Sequence, residues 1–456
     1  MSDIFGLGGA QALSCFVRPL CGSLLTRRRA LTSPSPTKNN PNNQQNSAHD
    51  PNYVAKVIKM SADPSASVHR IGDESAFAPG GFEVAALSAG AALTATEAVL
   101  SGDVAAAYAL SRPPGHHATR ATGGGFCLFN NVAVSALHAL EGSWGGTTTE
   151  RAAAAASPSS SPSSSSSPPS PPIRRVAVVD FDVHHGNGTQ DIFWRDDRVL
   201  TISLHQAGNY PLNEGGVDEV GAGRGEGHNI NVPLPPGSGS GAYRAAFDRV
   251  VIPALDAYTP DLVLVSAGYD ACYMDPLGQM MLGSHDYRYF MRRLRAAAAR
   301  HSRGRLVAVH EGGYSDAYAP FCGLAAIEAM CGAATRSRVA DPYWADVSAF
   351  GYQALQPWQD SVLSEVERGP LRLLRARCAE RSGGGGGYGG GRRRVVGAAG
   401  GAGAVAGRGG KTVPPPDATS VAASVMGGRQ VGVQQPEQRR GQLRVEAAPE
   451  VRAAHG

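Results

Sequence analysis

The sequence predicts an α/β fold: an open, mostly parallel sheet with helices on both faces, in three αβα layers. Two observations carry this. Short apolar runs rich in β-branched residues recur along the chain, each about as long as a strand buried on both faces. They are Val176–Asp180, Val199–Ser203, Asp261–Ser266 and Leu306–His310, with a further short run at Ala105–Leu110. Helical stretches separate them, at Phe82–Leu100, Asn131–Leu140, Ala242–Ala257 and Tyr287–His301. Strand and helix in alternation give a sheet covered on both sides.

These elements fall within residues 49–370, which read as one globular domain. The flanks read differently. Residues 1–48 contain one acid, Asp3, and carry Arg18, Arg27, Arg28 and Arg29 among Ser, Thr and Ala. Such a leader fits a plastid or mitochondrial transit peptide, or an ordinary disordered N-terminus of a nuclear or cytoplasmic protein. An insert at about 143–172 interrupts the domain, and every residue from Ser157 to Pro172 is Ser or Pro. A run of this kind buries nothing and is expected to be disordered. Residues 371–456 read as a disordered Gly- and Arg-rich tail, since 15 of the 28 residues from Gly383 to Gly410 are Gly.

Composition excludes several classes. The net charge of +4 over 456 residues is too weak to mark a nucleic-acid binder. Seven scattered cysteines without a CxxC pair exclude zinc fingers and thioredoxin-like motifs, and fit a reducing compartment. The most apolar stretch, Phe82–Leu100, carries Glu83 and Glu97 and reads as a half-buried helix, not a membrane span. Oligomeric state is not legible.

Reactive residues gather where the runs end, the place where open α/β sheets bind ligands. The run from Val176 leads into Asp180-Phe-Asp182-Val-His184-His185-Gly-Asn187-Gly. That from Asp261 leads into Gly268-Tyr-Asp270, and that from Leu306 into Glu311-Gly-Gly-Tyr314. Arg112-Pro-Pro-Gly-His116-His117 follows the short run at Ala105. Asp182 and His184 lie two apart and so face one side of extended backbone. With Asp270 they offer two carboxylates and an imidazole, a donor set for Zn²⁺ with room for a water. A lone D-x-H is better read as a capping Asp and a packed core His; here the neighbours favour the metal. His116 and His117 could move protons. Tyr314, freed by two glycines, could reach an oxyanion. Asp180 and Asn187 could orient the histidines, or simply cap strand ends.

The segments Arg112–His117, Gly125-Phe-Cys-Leu-Phe-Asn-Asn131, Asp180–Gly188 and Glu311–Tyr314 resemble the zinc-dependent histone deacetylases, whose superfamily includes the acetylpolyamine amidohydrolases. The resemblance runs in order from about His49 to about Trp358. Asn187 and Glu311 look like class II. Tyr318–Leu324 is similar to bacterial class II-type amidohydrolases. The resemblance implies the arginase/deacetylase-like αβα fold, one Zn²⁺ on Asp182, His184 and Asp270, and hydrolysis of an acetyl amide. It makes His117 the general base and acid and His116 its electrostatic partner, without settling the division between them. Asp180 would pair with His116 and Asn187 with His117, and Tyr314 would bind the oxyanion. Gly125, Phe126, Tyr210 and Leu277 would line an acetyl-lysine channel; the family often has Phe where Tyr210 stands. Asp180, Asp182, His184, Ser203 and Leu204 would hold a structural K⁺. Polyamine-selective relatives place Glu where Leu277 stands, which implies an acetylated protein, histone or not, as the partner in preference to an acetylated small amine. The family's opening strand and helix have no counterpart in residues 1–48. The expectation is an altered gene start or a domain short of part of its sheet and rim.

Two other readings remain. The fold-related arginase and agmatinase group uses two metals on a D-x-H-x-D pattern, and here His184 is followed by His185-Gly186. A non-catalytic acetyl-lysine binder is the other.

Overall fold

A computed structural model describes residues 47–142, 172–332, 340–351 and 353–383. Most of the leader, of the Ser/Pro insert and of the Gly-rich tail expected above lies outside the described residues.

A helix at Pro51–Ser61 comes first, capped by Asp50, whose carboxylate accepts the Asn52 N–H at 2.7 Å. Two short antiparallel strands follow, β1 (His69–Arg70) and β2 (Ala76–Phe77). The main sheet has six strands: β3 (Ala106–Ala109), β4 (Val176–Asp180), β5 (Val199–Gln206), β6 (Asn229–Leu234), β7 (Leu262–Ala267) and β8 (Leu306–His310). Their order is β3-β8-β7-β4-β5-β6, and every pairing is parallel.

The apolar runs are continuous because the sheet has a core on each face. Ala177 and Val179 of β4 point into one core, and Val176 and Val178 into the other. On β7, Val263 and Val265 are set against Leu262 and Leu264 in the same way. Helices Gly81–Leu100 and Asn131–Glu141 cover one face. The first of these is long and apolar enough to cross a bilayer, but here it buries Phe82, Ala85, Ala89, Ala92 and Leu93 against the domain. The other face carries Ser240–Tyr258 and Ser284–His301. The former widens into a π-turn at Phe247–Val251, just before Pro253, which has no N–H to continue the ladder.

Parallel pairing sends the chain out of β3, β4, β7 and β8 at one end of the sheet. Asp180 on β4 is in register with Ser203 of β5 and Ser266 of β7, so the reactive loops start level with one another.

Three features depart from expectation. β5 runs on to Gln206, and β6 was not anticipated. The chain also continues past the expected boundary at 371, as a helix over Arg372–Gly383 that buries Leu374 in the core. Leu374→Ala is therefore expected to cost about 2–5 kcal/mol, the usual range for a large-to-small core change. A lower urea midpoint would show it, and a chain ending at 371 should unfold earlier than one ending at 383.

Candidate metal and catalytic site

Asp182, His184 and Asp270 converge as a buried group whose ligand atoms all lie within 4.8 Å of one another. Asp182 Oδ1 is 2.9 Å from His184 Nδ1, and Asp270 Oδ2 is 3.2 Å from the same nitrogen. Backbone amides hold the remaining oxygens. Gly312 N–H donates to Asp182 Oδ2 at 2.8 Å, and Val183 N–H donates to Asp270 Oδ1 at 2.7 Å. Gly312 has to be glycine, because a Cβ there would stand 2.0 Å from Asp270 Oδ2.

The group fits a divalent cation. Asp270 Oδ2 is buried with no aligned donor. Burial, and then the charge of Asp182, push the Asp270 carboxyl up to about 7. Burial alone would lower the His184 pKa, but its bonds to Asp182 and Asp270 outweigh that and raise it to about 11. Without a metal the site retains a proton, which a metal would displace. Zn²⁺ bonds of about 2.0–2.2 Å at tetrahedral angles separate ligand atoms by about 3.3–3.6 Å, a little more than the 2.9 and 3.2 Å from His184 Nδ1 to the two carboxylates.

Beside the triad stand two histidines with different partners. His116 Nδ1 is 2.9 Å from Asp180 Oδ2, and its Nε2 is 3.8 Å from Asp182 Oδ1. Burial would lower its pKa, but the charges of Asp182 and Asp180 prevail and raise it to about 10. His117 Nδ1 is 2.9 Å from Asn187 Oδ1, a neutral acceptor. Burial, together with the charge on His116, holds His117 well below its ordinary value. The rings lie 3.9 Å apart between centroids. The carboxylate of Asp180 thus favours the charged form of His116, and the amide of Asn187 favours the neutral form of His117 with its Nδ1–H toward Oδ1.

The loop bearing these histidines is fixed by a residue to which the sequence analysis gave no role. Glu311 is fully buried, and its Oε2 accepts the Gly115 N–H at 2.6 Å and the His116 N–H at 3.1 Å. Burial raises its carboxyl to about 7. An acid at the end of a buried strand was the available signal. His49 is a second brace, bridging the Thr119 carbonyl and the Asn130 N–H at 2.9 Å each.

Aromatic residues surround the histidines. Tyr210 meets His117 edge-on at 4.9 Å. Phe126 packs at 5.9 Å against Tyr314 and is 44% exposed. Gly125, at φ +47°, leaves no room for a side chain: a Cβ would stand 2.3 Å from His117 Cδ2. Tyr314 donates its backbone N–H to Asp275 Oδ2 at 2.7 Å, and Arg112 lies 5.6 Å over its ring. Burial, then the charges of Asp182 and Asp270, raise its phenol pKa, so the hydroxyl stays protonated and able to donate. Leu277 is 42% exposed, and its carbonyl accepts from Asn209 beside Tyr210. Ser203 faces Asp180 across the sheet, though its hydroxyl lies 2.9 Å from His205 Nδ1; Leu204 is buried next to it.

A buried Asp/His/Asp group flanked by an asymmetric histidine pair and a protonated tyrosine is suited to metal-dependent hydrolysis. The model of the histone deacetylase domain matches residues 15–145 and 170–330. That match begins inside the leader which the sequence reading set apart as unlike the family. A histone deacetylase-like amidohydrolase of Pseudomonas aeruginosa is 43% identical over 294 residues, spanning 64% of this chain and 69% of that protein. Histone deacetylase 8 of Arabidopsis thaliana is 35% identical over 66% of this chain and 72% of its own length. The polyamine deacetylase HDAC10 of Rattus norvegicus is 39% identical over 58% of this chain and 41% of its own. The crystal structure of the HDA15 HD domain superposes with a TM-score of 0.57 at 29% identity, covering 75% of this chain and 81% of that one. The chain belongs to the histone deacetylase family of hydrolases, within the superfamily shared with acetylpolyamine amidohydrolases. The family is zinc-dependent, and in this chain Asp182, His184 and Asp270 form a buried group that could hold a metal ion.

Two outcomes are expected. Metal analysis should find one zinc per chain, lost in Asp270→Asn. Glu311 binds its proton more tightly when folded, since its pKa rises from 4.5 to about 7. Its contribution to stability is therefore present below pH 4.5 and is lost as the pH rises through about 7. In Glu311→Gln that decline should vanish, which melting temperatures of the two zinc-loaded proteins across this range would show.

Proposed function

We propose that the chain hydrolyses the acetyl amide of N-acetyl-lysine in proteins. The observation that carries this is the pairing of His116 with Asp180 and of His117 with Asn187 beside the Asp182, His184 and Asp270 group, with Tyr314 close enough to feel the charges of Asp182 and Asp270. Bound to Asp182, His184 and Asp270, Zn²⁺ would supply Lewis acidity and lower the pKa of a water toward about 7. His117 takes the proton from the attacking water at Nε2, while Asn187 holds the Nδ1 proton in place. His116, held by Asp180, keeps a fixed positive charge at the reacting centre. The Tyr314 hydroxyl donates to the amide oxygen as negative charge grows there. His117 then returns its proton to the leaving lysine nitrogen, giving acetate and a free amine. Gly125, Phe126 and Tyr210 form the wall for the acetyl-lysine stem. A structural K⁺ at Asp180, Asp182, His184, Ser203 and Leu204 belongs to the same proposal.

Leu277 supports a protein substrate, because an apolar residue at the mouth gives no charge to hold a free polyamine. Acetylpolyamine is the second reading. It is favoured by the polyamine deacetylase among the relatives and by Asp73 and Glu74, two exposed acids whose charges act on Tyr210.

The test is acetate release by zinc-loaded protein from an acetyl-lysine peptide and from acetylspermidine. Peptide turnover should exceed that of acetylspermidine, and Tyr314→Phe should lower it by roughly 10²–10³, the usual loss for one oxyanion donor. Leu277→Glu should raise turnover of acetylspermidine. Failure of both substrates in a folded, zinc-bound protein would leave a binder that holds acetyl-lysine without cleaving it.

A further inference from the structure

A cavity of about 620 Å³ lies at the opposite end of the sheet from the catalytic loops. Its walls come from residues just before β4, β7 and β8, together with the helix Arg372–Gly383. Five arginines line it, Arg174, Arg175, Arg303, Arg305 and Arg381, against one lining carboxylate, Asp261. We infer that this cleft is a binding site for a compact polyphosphorylated small molecule.

The charge balance carries the inference. Asp261 Oδ2 already accepts the backbone N–H groups of Arg174 and Arg175, at 2.9 Å each. Arg381 has Asp197, with Nη1 3.1 Å from its carbonyl and 3.7 Å from its carboxylate. Among the described residues, no carboxylate lies within ion-pair distance of the side chains of Arg174, Arg175, Arg303 or Arg305. The alternative use of these arginines is to neutralise the two helices that end here, at Tyr258 and His301. Each helix C-terminus carries about half a negative charge, so the two ends and Asp261 offset about two of the four unpaired cations and leave roughly two.

Arg305 stands in the same wall, 9% exposed as a residue; burial and the charge of Arg303 lower its pKa, and the charge of Asp261, which it shares with Arg174 and Arg175, acts the other way. Two further arginines are held in place for a ligand: Arg175 and Arg381 lie 6.0 and 5.5 Å from the ring centroid of Tyr258. Planar guanidinium forks match phosphate oxygens in pairs. The cavity volume falls within the range of small-molecule sites, roughly 300–1,000 Å³, whereas a strand of nucleic acid needs an open groove.

The test is calorimetric titration of the full-length, zinc-loaded protein with inorganic tripolyphosphate at an ionic strength of about 0.15 M. One saturable site is expected. Arg174→Gln with Arg303→Gln, both at exposed positions, should weaken it at least about tenfold while acetate release and melting temperature hold. Arg305→Gln should do the same if it folds. Absence of saturable binding overturns the proposal. So does equal binding by the double variant, which is also what removal of zinc by the probe would give. Tighter binding of a DNA oligonucleotide that displaces tripolyphosphate overturns it in favour of a nucleic-acid surface.

Discussion

Two carboxylates buried side by side are the constraint on which the rest of the structure depends. Asp182 and Asp270 have no exposed surface and share one imidazole, His184. Two like charges in an interior of low dielectric repel, and each loses its hydration. The chain can tolerate them only by surrounding them with donors. The amides of Val183, His184 and Gly312 provide these from the ends of β4 and β8. That demands a parallel sheet, since only parallel strands bring the two loops out beside the loop of β7. It also demands glycine at 312, where the backbone comes in too close for a side chain. A cation completes the charge balance.

The same logic separates the two histidines. They are adjacent in sequence and nearly in contact, so sequence position alone makes them equivalent. Their partners do not. A carboxylate behind His116 keeps its proton on, and an amide behind His117 lets its proton go. Each then reinforces the other, because the charge on His116 further lowers the proton affinity of His117. Pairs of titratable groups driven apart in this way are what acid and base roles require. Glu311 holds their loop in place through the backbone amides of Gly115 and His116, which makes its own burial a cost the site accepts.

Legibility in the sequence followed burial and local chemistry. β4, β5, β7 and β8 were readable because strands covered on both faces need apolar residues at every position. The metal triad was readable because its residues follow such strands, and the histidine pair because it lies in a short motif matching a known family, although β3 before it is a half-buried edge strand. β6 was hidden by its composition. Asn229, Asn231 and Pro233 suggest a loop, yet both asparagines are buried in a polar network with Gln190 and Glu219. The helix Arg372–Gly383 was hidden because most of its residues are charged or small, and its hold on the domain depends on Leu374. Asp275 and His49 went unread because their partners, Tyr314 and the loop from Thr119 to Asn130, lie far away in the chain.

The sheet is chemically polar from end to end. β4, β7 and β8 leave into acids, Asp180 and Asp182, Asp270, and Glu311. β4 and β8 are entered through arginines, Arg174 and Arg175 before β4 and Arg303 and Arg305 before β8, whereas β7 is entered through Asp261. The two ends solve opposite problems. At the carboxyl end, excess negative charge is buried and met by amide donors, by the imidazolium of His116 and by the cation the triad is built to hold. At the amino end, excess positive charge lines a cavity with only Asp261 and two helix ends to meet it. Charge of one sign without a partner is rarely retained in a cleft unless something binds there. The acidic end offers a group that could hold a metal ion, and by the same reasoning the basic end calls for an anion.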